Sequence, residues 1–267
     1  MDIKKIRIIT GAGSGIGLHL AQVLQEQGES LLLIDKREEL LKKNFRASDQ
    51  VKIKVGDVSQ EAFWEAVIGS VQESSYQISH LINSAGVIRP GFLQDFEISD
   101  IDLHLDVNAK GSILGTTLIG RVMKAQGFGH IINISSLAGL APVSGLSLYT
   151  ASKFAIRGFS LAVAPELEKW GVHVSVVCPD LVNTPMLDLQ LDYPEEAVLT
   201  FSGPKKILEP EDISRVLLKL MSNPKRLVCI PEHRGLLAKI AGSWPRVAEI
   251  FRKGLEKKGK ETIKRLK

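Results

Sequence analysis

Cysteine is scarce: the 267 residues hold two, Cys178 and Cys229. Each lies near the end of an apolar, strand-like run, and neither has a neighbour at metal-ligand spacing. They read as buried thiols in a reducing compartment, not as a disulfide framework or a zinc site. The six histidines (His19, His80, His104, His130, His173 and His233) are scattered in the same way, and no metal is assigned. Low-complexity stretches and short repeats are also missing, which argues against solenoids and disordered arrays. No long apolar run occurs either. The opening MDIKKIRIITGAG offers only a short one before its glycines, and it reads as a first strand, not as a signal peptide or membrane span. These absences point to a cytoplasmic protein.

The body of the chain also lacks basic charge. Net charge is +4, yet residues 246–267 carry nine cations (Arg246, Arg252, Lys253, Lys257, Lys258, Lys260, Lys264, Arg265 and Lys267) against Glu249, Glu256 and Glu261. That balance of +6 leaves residues 1–245 at −2. Charge confined to an appendage argues against a nucleic-acid-binding protein.

What is present is an alternation. Short runs rich in Ile, Val and Leu fall near residues 5–10, 30–34, 51–55, 78–83, 129–134, 172–177 and 226–230. Amphipathic helical patterns fill most gaps, at 16–27, 37–45, 59–73, 99–126, 150–170 and 211–221. Strands buried on both faces and alternating with helices predict an α/β protein, a Rossmann-type doubly wound parallel sheet of about seven strands with helices on both faces. No linker interrupts residues 1–232, which read as a single domain. Residues 180–209 form a long connection rich in Leu, expected to be a lid with apolar lining from Leu181, Met186, Leu187, Leu189, Leu191, Val198, Leu199 and Phe201. Residues 233–267 form a basic, partly amphipathic extension in which Pro245 can start a helix and Val247, Ile250, Phe251 and Leu255 make an apolar stripe. Such a helix can lie on an anionic membrane surface, pack on a second subunit or dock on its own domain.

The first strand runs into TGAGSGIG, residues 10–17. Gly11, Gly13, Gly15 and Gly17, with Ser14 and Ile16 between them, allow a tight turn and close backbone approach, while the following helix points its positive end at a phosphate. Strand before and helix after are the context a dinucleotide site requires. The second run ends at Asp35, whose carboxylate can accept both ribose hydroxyls and repel a 2′-phosphate, favouring NAD over NADP; Lys36 and Arg37 beside it blunt that repulsion. The third run ends at Asp57 and Val58, and the fourth in NSAG, with Asn83, Ala85 and Gly86. Four strand ends of this kind at one edge make a ligand site.

The stretch LYTASKFAIRG sets Tyr149 and Lys153 one helical turn apart. Residues at i and i+4 share a helix face, and a nearby ammonium would lower the phenol pKa from about 10, so the pair suits proton transfer. An ordinary amphipathic helix would look the same. Asn108, inside LHLDVNAKGSILG, is either a solvent-facing helix residue or the mark of an irregular turn beside Gly111.

Taken in order, TGAGSGIG, Asp57, NSAG, Asn108, ISS at 134–136 and YTASK at 149–153 resemble the short-chain dehydrogenase/reductase family over residues 5 to about 230. The resemblance implies hydride transfer between a nicotinamide dinucleotide and a carbinol or carbonyl carbon. It implies that Tyr149 is the general acid/base, that Lys153 lowers its pKa and holds the nicotinamide ribose, and that Ser136, in preference to Ser135, bonds the substrate oxygen. Asn108 would distort its helix and hold a water linked to Lys153. Gly11, Gly13, Ser14, Gly15, Ile16, Gly17, Asp35, Asp57, Val58, Asn83, Ala85, Gly86, Pro179, Val182 and Thr184 would join Asn108, Tyr149 and Lys153 around the cofactor. The chain departs from the family where CPDLVNT places Asp180 after Pro179, which leaves substrate geometry there open: Asp180 could alter the backbone, contact a polar substrate group or face solvent. The apolar lid favours a lipophilic alcohol or ketone, such as a steroid, retinoid or fatty-chain compound. The helices over 99–126 and 150–170 match those that build family dimers, so a homodimer or homotetramer is expected. The alternative is a dinucleotide-binding regulatory or scaffold protein without turnover.

Overall fold

The computed structural model describes residues 4–74, 76–203 and 206–267, apart from the side chains of residues 245, 247 and 248. Residues 204 and 205 of the expected lid, and Val247 of the expected stripe, lie outside the described residues.

The Ile- and Val-rich runs form strands because β-branched side chains are stiff and pack well on a pleated surface. They are β1 (Lys5–Thr10), β2 (Leu31–Asp35), β3 (Val51–Val55), β4 (Gln77–Asn83), β5 (Gly129–Ile134), β6 (Val172–Pro179) and β7 (Leu227–Ile230). All pair in parallel in the order β3-β2-β1-β4-β5-β6-β7. Strands β2 and β5 are buried throughout, as a sheet covered on both faces demands. The chain winds outward from β1 to β3, then crosses back to β4 on the other side of β1. At that reversal the connections leave in opposite directions and open a crevice at the carboxyl ends of the strands.

The helices are α1 (Gly15–Glu26), α2 (Glu38–Asn44), α3 (Glu61–Glu73), α4 (Ile98–His104), α5 (Gly111–Gln126), α6 (Ser147–Glu168), α7 (Pro185–Asp192), α8 (Pro210–Ser222), α9 (Glu232–Ser243) and α10 (Pro245–Leu266). One face of the sheet packs against Leu20 and Leu24 of α1, Leu41 of α2, and Ile213, Leu217 and Leu220 of α8. The other meets Trp64, Val67 and Val71 of α3, Ile119 and Met123 of α5, and Ala164 of α6. Each such buried side chain contributes roughly 1.5–3 kcal/mol. Cys178 and Cys229 are register partners on β6 and β7, buried and unbridged.

Three segments differ from the sequence expectation. The helix expected over 99–126 is interrupted by a π turn at Leu105–Lys110 between α4 and α5. The connection at 180–209 contains α7, which starts at Pro185, where a missing N–H costs nothing and φ is already helical. The extension contains α9 as well as the helix begun by Pro245. Interior Gly235 and Gly242 lower the helix propensity of α9, and tertiary packing overrides them. Ala238 of α9 packs on the cluster formed by Leu137, Cys178 and Cys229, and Ile263 of α10 is buried with Leu181, Leu187, Ala197 and Phe201 of the lid segment. A Cβ at Gly259 would stand 2.0 Å from the Val198 carbonyl oxygen, so glycine is what lets α10 lie directly on that segment. The tail packs on the body of its own chain by one face of α10.

Candidate functional site

A cleft of about 1390 Å³ opens at the carboxyl edge of the sheet. One wall is the loop between β1 and α1, where Gly11, Ser14, Gly15 and Ile16 line the cleft. The side chain of Thr10 holds this corner together: its hydroxyl accepts from the backbone N–H of Ser84 and Ala85, both at 3.1 Å. Gly11 has φ +68, and a Cβ there would meet the Ala85 backbone at 2.8 Å, so the two loops can touch only through glycine.

Asp35 ends β2 inside the cleft and is 7% exposed. Its carboxylate accepts from the Gly13 N–H (2.9 Å) and the Arg37 N–H (3.0 Å), and Arg37 Nε lies 3.3 Å away. Arg37 also donates to the Ser14 hydroxyl at 2.9 Å. The acid therefore shapes the glycine loop as well as facing the cleft, and part of its charge is offset. At Asp57, burial, which alone would raise the pKa, is outweighed by the Ser59 hydroxyl and N–H and by the Lys36 ammonium at 2.9 Å, so the carboxyl sits below its usual range. Lys36 is thus drawn to Asp57 and Arg37 to Asp35.

On the facing wall, α6 begins at Ser147, which places Tyr149 in its first turn and Lys153 one turn on. Both line the cleft together with Ser136, whose hydroxyl accepts from the Ala138 N–H at 3.1 Å as the chain turns out of β5. Ser135, also at the cleft, donates to the Lys153 carbonyl at 2.8 Å, which anchors α6 to β5. The Lys153 ammonium lies 5.4 Å from the Tyr149 ring centre and donates to the Ile134 carbonyl at 3.1 Å.

The electrostatics correct one expectation. Burial pushes the Tyr149 phenol up to about 12, with Ser136 opposing and the Cys178 thiol adding to the rise. Burial likewise brings Lys153 down to about 8, with Cys178 opposing. Desolvation disfavours both charges, so the i, i+4 pair does not lower the phenol pKa in the chain itself.

Asn108 is fully buried in the π turn, which removes the solvent-facing reading and bears out the irregular helix. Its amide accepts from the Val87 N–H at 2.7 Å and donates to the Val87 carbonyl and the Ser152 hydroxyl, each at 3.0 Å. It thereby joins the loop after β4 to α6 directly behind Lys153.

Ile16, Asp35, Asp57, Val58, Ala85, Gly86, Pro179, Val182 and Thr184 line the cleft as expected, while Gly13, Gly17, Asn83 and Asn108 stand behind it. Asn83 has its side chain in the core. Its amide is buried and donates to Asn133 Oδ1 at 2.8 Å and to the Ser112 carbonyl and Thr116 hydroxyl at 3.3 Å, so it ties β4 to β5 and α5 inside the core. An NSAG turn reads the same in sequence whether its asparagine faces ligand or core. Asp180 neither contacts bulk solvent freely nor stands alone: Arg234 of α9 donates to it from Nε at 2.9 Å, with the two side chains 27% and 8% exposed. Arg234, Leu237, Ala238, Ile240, Glu249, Phe251, Arg252 and Leu255 add a wall to the cleft that the sequence did not reveal.

A doubly wound sheet with a glycine loop at its crossover and a Tyr149–Lys153 pair in the same cleft defines a dinucleotide-binding oxidoreductase. A family model described as short chain dehydrogenase matches residues 5–192, and the chain belongs to that family. It is 31% identical to an uncharacterized oxidoreductase of Staphylococcus aureus, over 84% of this chain and 93% of that one. It is 32% identical to a 3-alpha-(or 20-beta)-hydroxysteroid dehydrogenase of Mycobacterium tuberculosis, over 83% and 84%. Among solved structures it is similar to levodione reductase, with a TM-score of 0.76 at 25% identity over 85% of this chain and 95% of that one. The fold is also that of 4-hydroxyisoleucine dehydrogenase complexed with NADH, with a TM-score of 0.76 at 20% identity over 85% and 96%. The chain is an oxidoreductase acting on a CH–OH group with a nicotinamide dinucleotide.

Proposed function

We propose that the protein interconverts a lipophilic secondary alcohol and its ketone, with Tyr149 as general acid/base. The observation that carries this reading is the convergence of Tyr149, Ser136 and Lys153 on one wall of a cleft whose opposite wall is the glycine loop. The residues fit a dinucleotide: Gly11, Ser14, Gly15 and Ile16 line the cleft where α1 begins, so the helix amino terminus stands at the cleft wall. When bound, the nicotinamide supplies or accepts the hydride. In reduction, the Tyr149 phenol gives its proton to the carbonyl oxygen while the Ser136 hydroxyl bonds the same oxygen and steadies its developing charge. The Lys153 ammonium, one turn away, stabilises the phenolate left behind. Asn108 and Ser135 hold α6 so that these groups keep their spacing.

Asp35 supports NAD over NADP, since its carboxylate stands beside the loop where a 2′-phosphate would meet it, although Arg37 pairs with it at 3.3 Å. Apolar lining from Leu103, Val143, Phe154, Leu189 and Leu199 supports a lipophilic substrate, and the Mycobacterium tuberculosis relative bears a steroid dehydrogenase name. Leu93, Ile98, Ile101 and Leu105 are exposed along and before α4, which supports burial in a homodimer or homotetramer. No helix among the described residues is long and apolar enough to cross a membrane, consistent with a cytoplasmic protein. Residues 1–232 form the catalytic unit in this reading, with 180–209 as its lid and 233–267 as an added wall.

Lipophilic secondary alcohols and ketones, offered with NAD(H) and NADP(H) in parallel and followed by nicotinamide absorbance, test the activity. Tyr149→Phe should abolish turnover and leave NADH binding nearly intact. Full activity in that variant would overturn the mechanism. NADH binding by the wild type with no turnover of any class of substrate would favour the regulatory or scaffold alternative.

A further inference from the structure

Helix α10 docks by one face and leaves the other to solvent. Gly259, Thr262 and Ile263 are buried against the body. On the opposite side Arg246, Lys253, Lys257, Lys260 and Lys264 are all exposed. Their spacing of 7, 4, 3 and 4 residues keeps them within one side of a helix, a basic strip about 27 Å long at 1.5 Å per residue. Glu249 and Glu256 pair with Arg252, at 3.5 and 3.0 Å, while Glu256 and Glu261 also stand beside Lys253, Lys257, Lys260 and Lys264. Ile250, 77% exposed, stands among the cations.

Helices α9 and α10 also form a wall of the cleft. Leu237, Ile240, Phe251 and Leu255 line the cleft and are still 54%, 39%, 62% and 37% exposed, with Leu236 (61%) and Trp244 (62%) beside them in the chain. Half of the sixteen exposed large apolar side chains among the described residues fall within residues 236–266, so the apolar surface is concentrated where the basic strip is. An apolar patch next to a row of cations, with an aromatic residue at the junction of two helices, matches the headgroup zone of an acidic bilayer.

We infer that α9 and α10 dock the protein on an anionic lipid surface, with Trp244, Ile250 and Leu236 entering the headgroup region and the five cations facing acidic lipids, so that the cleft opens toward the lipid. The docking stands on the surface alone; that the cleft draws its substrate from the bilayer rests on the lipophilic reading above. A nucleic acid would satisfy the cations but leave Trp244, Ile250 and Phe251 in water. A second copy meeting this face about a two-fold axis would set five cations against five.

The full-length protein should sediment with phosphatidylcholine vesicles that contain phosphatidylserine and not with pure phosphatidylcholine, with no substrate present. Lys253→Glu with Lys257→Glu should weaken that binding at least about twentyfold. Trp244→Ser with Ile250→Ser should weaken it on the same vesicles, while both variants keep wild-type circular dichroism and NADH binding. Failure to bind acidic vesicles, equal binding to neutral ones, or binding untouched by either pair of substitutions would overturn the inference. So would tight binding of DNA or RNA without vesicle binding, or a dimer that the Trp244→Ser, Ile250→Ser protein cannot form. Because vesicle binding is read without substrate, its failure would leave the lipophilic reading to be judged by turnover.

Discussion

Acid should destabilise this protein from the end of the sheet opposite the cleft. His80, His130 and His173 are register partners across β4, β5 and β6, with ring centres 5.8 and 6.1 Å apart. Arg7 of β1 is the register partner of His80, and the Met221 carbonyl of α8 lies 3.4 Å from His80 Nε2. Burial, the Arg7 guanidinium and Lys5 bring His80 down to about 4 from 6.5, against the Met221 carbonyl. Burial, His80 and His173 bring His130 down to about 3 from 6.5. His130 Nε2 meets the Ser175 hydroxyl at 2.8 Å, whereas its Nδ1 has no partner among the described residues. Among the described residues, the groups that shift these two rings include no carboxylate.

Both histidines are therefore neutral in the folded protein under conditions that protonate them in the unfolded chain. The folded pKa is depressed, so the stability they leave intact above about pH 6.5 is lost as pH falls toward 4. At about pH 5 the unfolded chain gains about 2 kcal/mol from each imidazole, about 4 kcal/mol together, while the folded protein gains almost nothing. His104 adds in the same direction: burial lowers it, with its Nδ1 2.7 Å from the Asp100 carbonyl and its Nε2 accepting from the Arg89 N–H. Urea titrations at about pH 8 and pH 5 should show the midpoint falling by about 1.3 M if the slope is about 3 kcal/mol/M. His130→Gln, which keeps an amide within reach of Ser175, should remove about half of that fall. A midpoint independent of pH over this range, or a fall unchanged in both His80→Gln and His130→Gln, would refute the reasoning.

Two further outcomes follow from the cleft. In the reductive direction kcat should decline as pH rises through about 8, because Lys153 loses its charge there; a profile flat to about pH 10 would mean that its ammonium is not used. Asp35→Ser should shift the NADP/NAD ratio of kcat/KM toward NADP by at least about tenfold, since it removes the repelling carboxylate and frees Arg37 for a phosphate. An unchanged ratio would show that the carboxylate serves only to tie Gly13 into the loop.

Much of this architecture is written in local pattern, and the exceptions share a cause. Strand runs such as LLLID and HIINI are buried along their whole length because both faces are covered, and their short runs of Leu and Ile between helical patterns locate them. TGAGSGIG and YTASK carry their geometry within a single turn, which is why Gly11 and Tyr149 fall where spacing puts them. The direction of the Asn83 side chain was not legible because it depends on Asn133, fifty residues away, and no short window contains that partner. Asp180 was left open for the same reason, its answer being Arg234, fifty-four residues on. Helix α9 was hidden by Gly235 and Gly242, which lower propensity yet fit a helix pressed against Cys229 and Leu140. Pair spacing suggested that Lys153 would lower the Tyr149 pKa, but burial is a property of the folded whole and it dominates at both residues.

That dominance fits the proposed chemistry better than a standing phenolate would. A tyrosine ionised at rest could not donate a proton to a carbonyl, and it would need its charge neutralised before each reduction. With the phenol pushed to about 12, the proton stays on Tyr149 until an oxygen of rising basicity faces it, which happens only as a hydride arrives at the adjacent carbon. Once the proton leaves, a phenolate stands one turn from an ammonium in a site of low dielectric, where their attraction is strongest and where each ion alone is penalised. The desolvation that separates both residues from their charged forms in the resting cleft therefore favours their appearance as a pair, and Asn108 and Ser135 matter because they hold α6 at the spacing on which that pair depends.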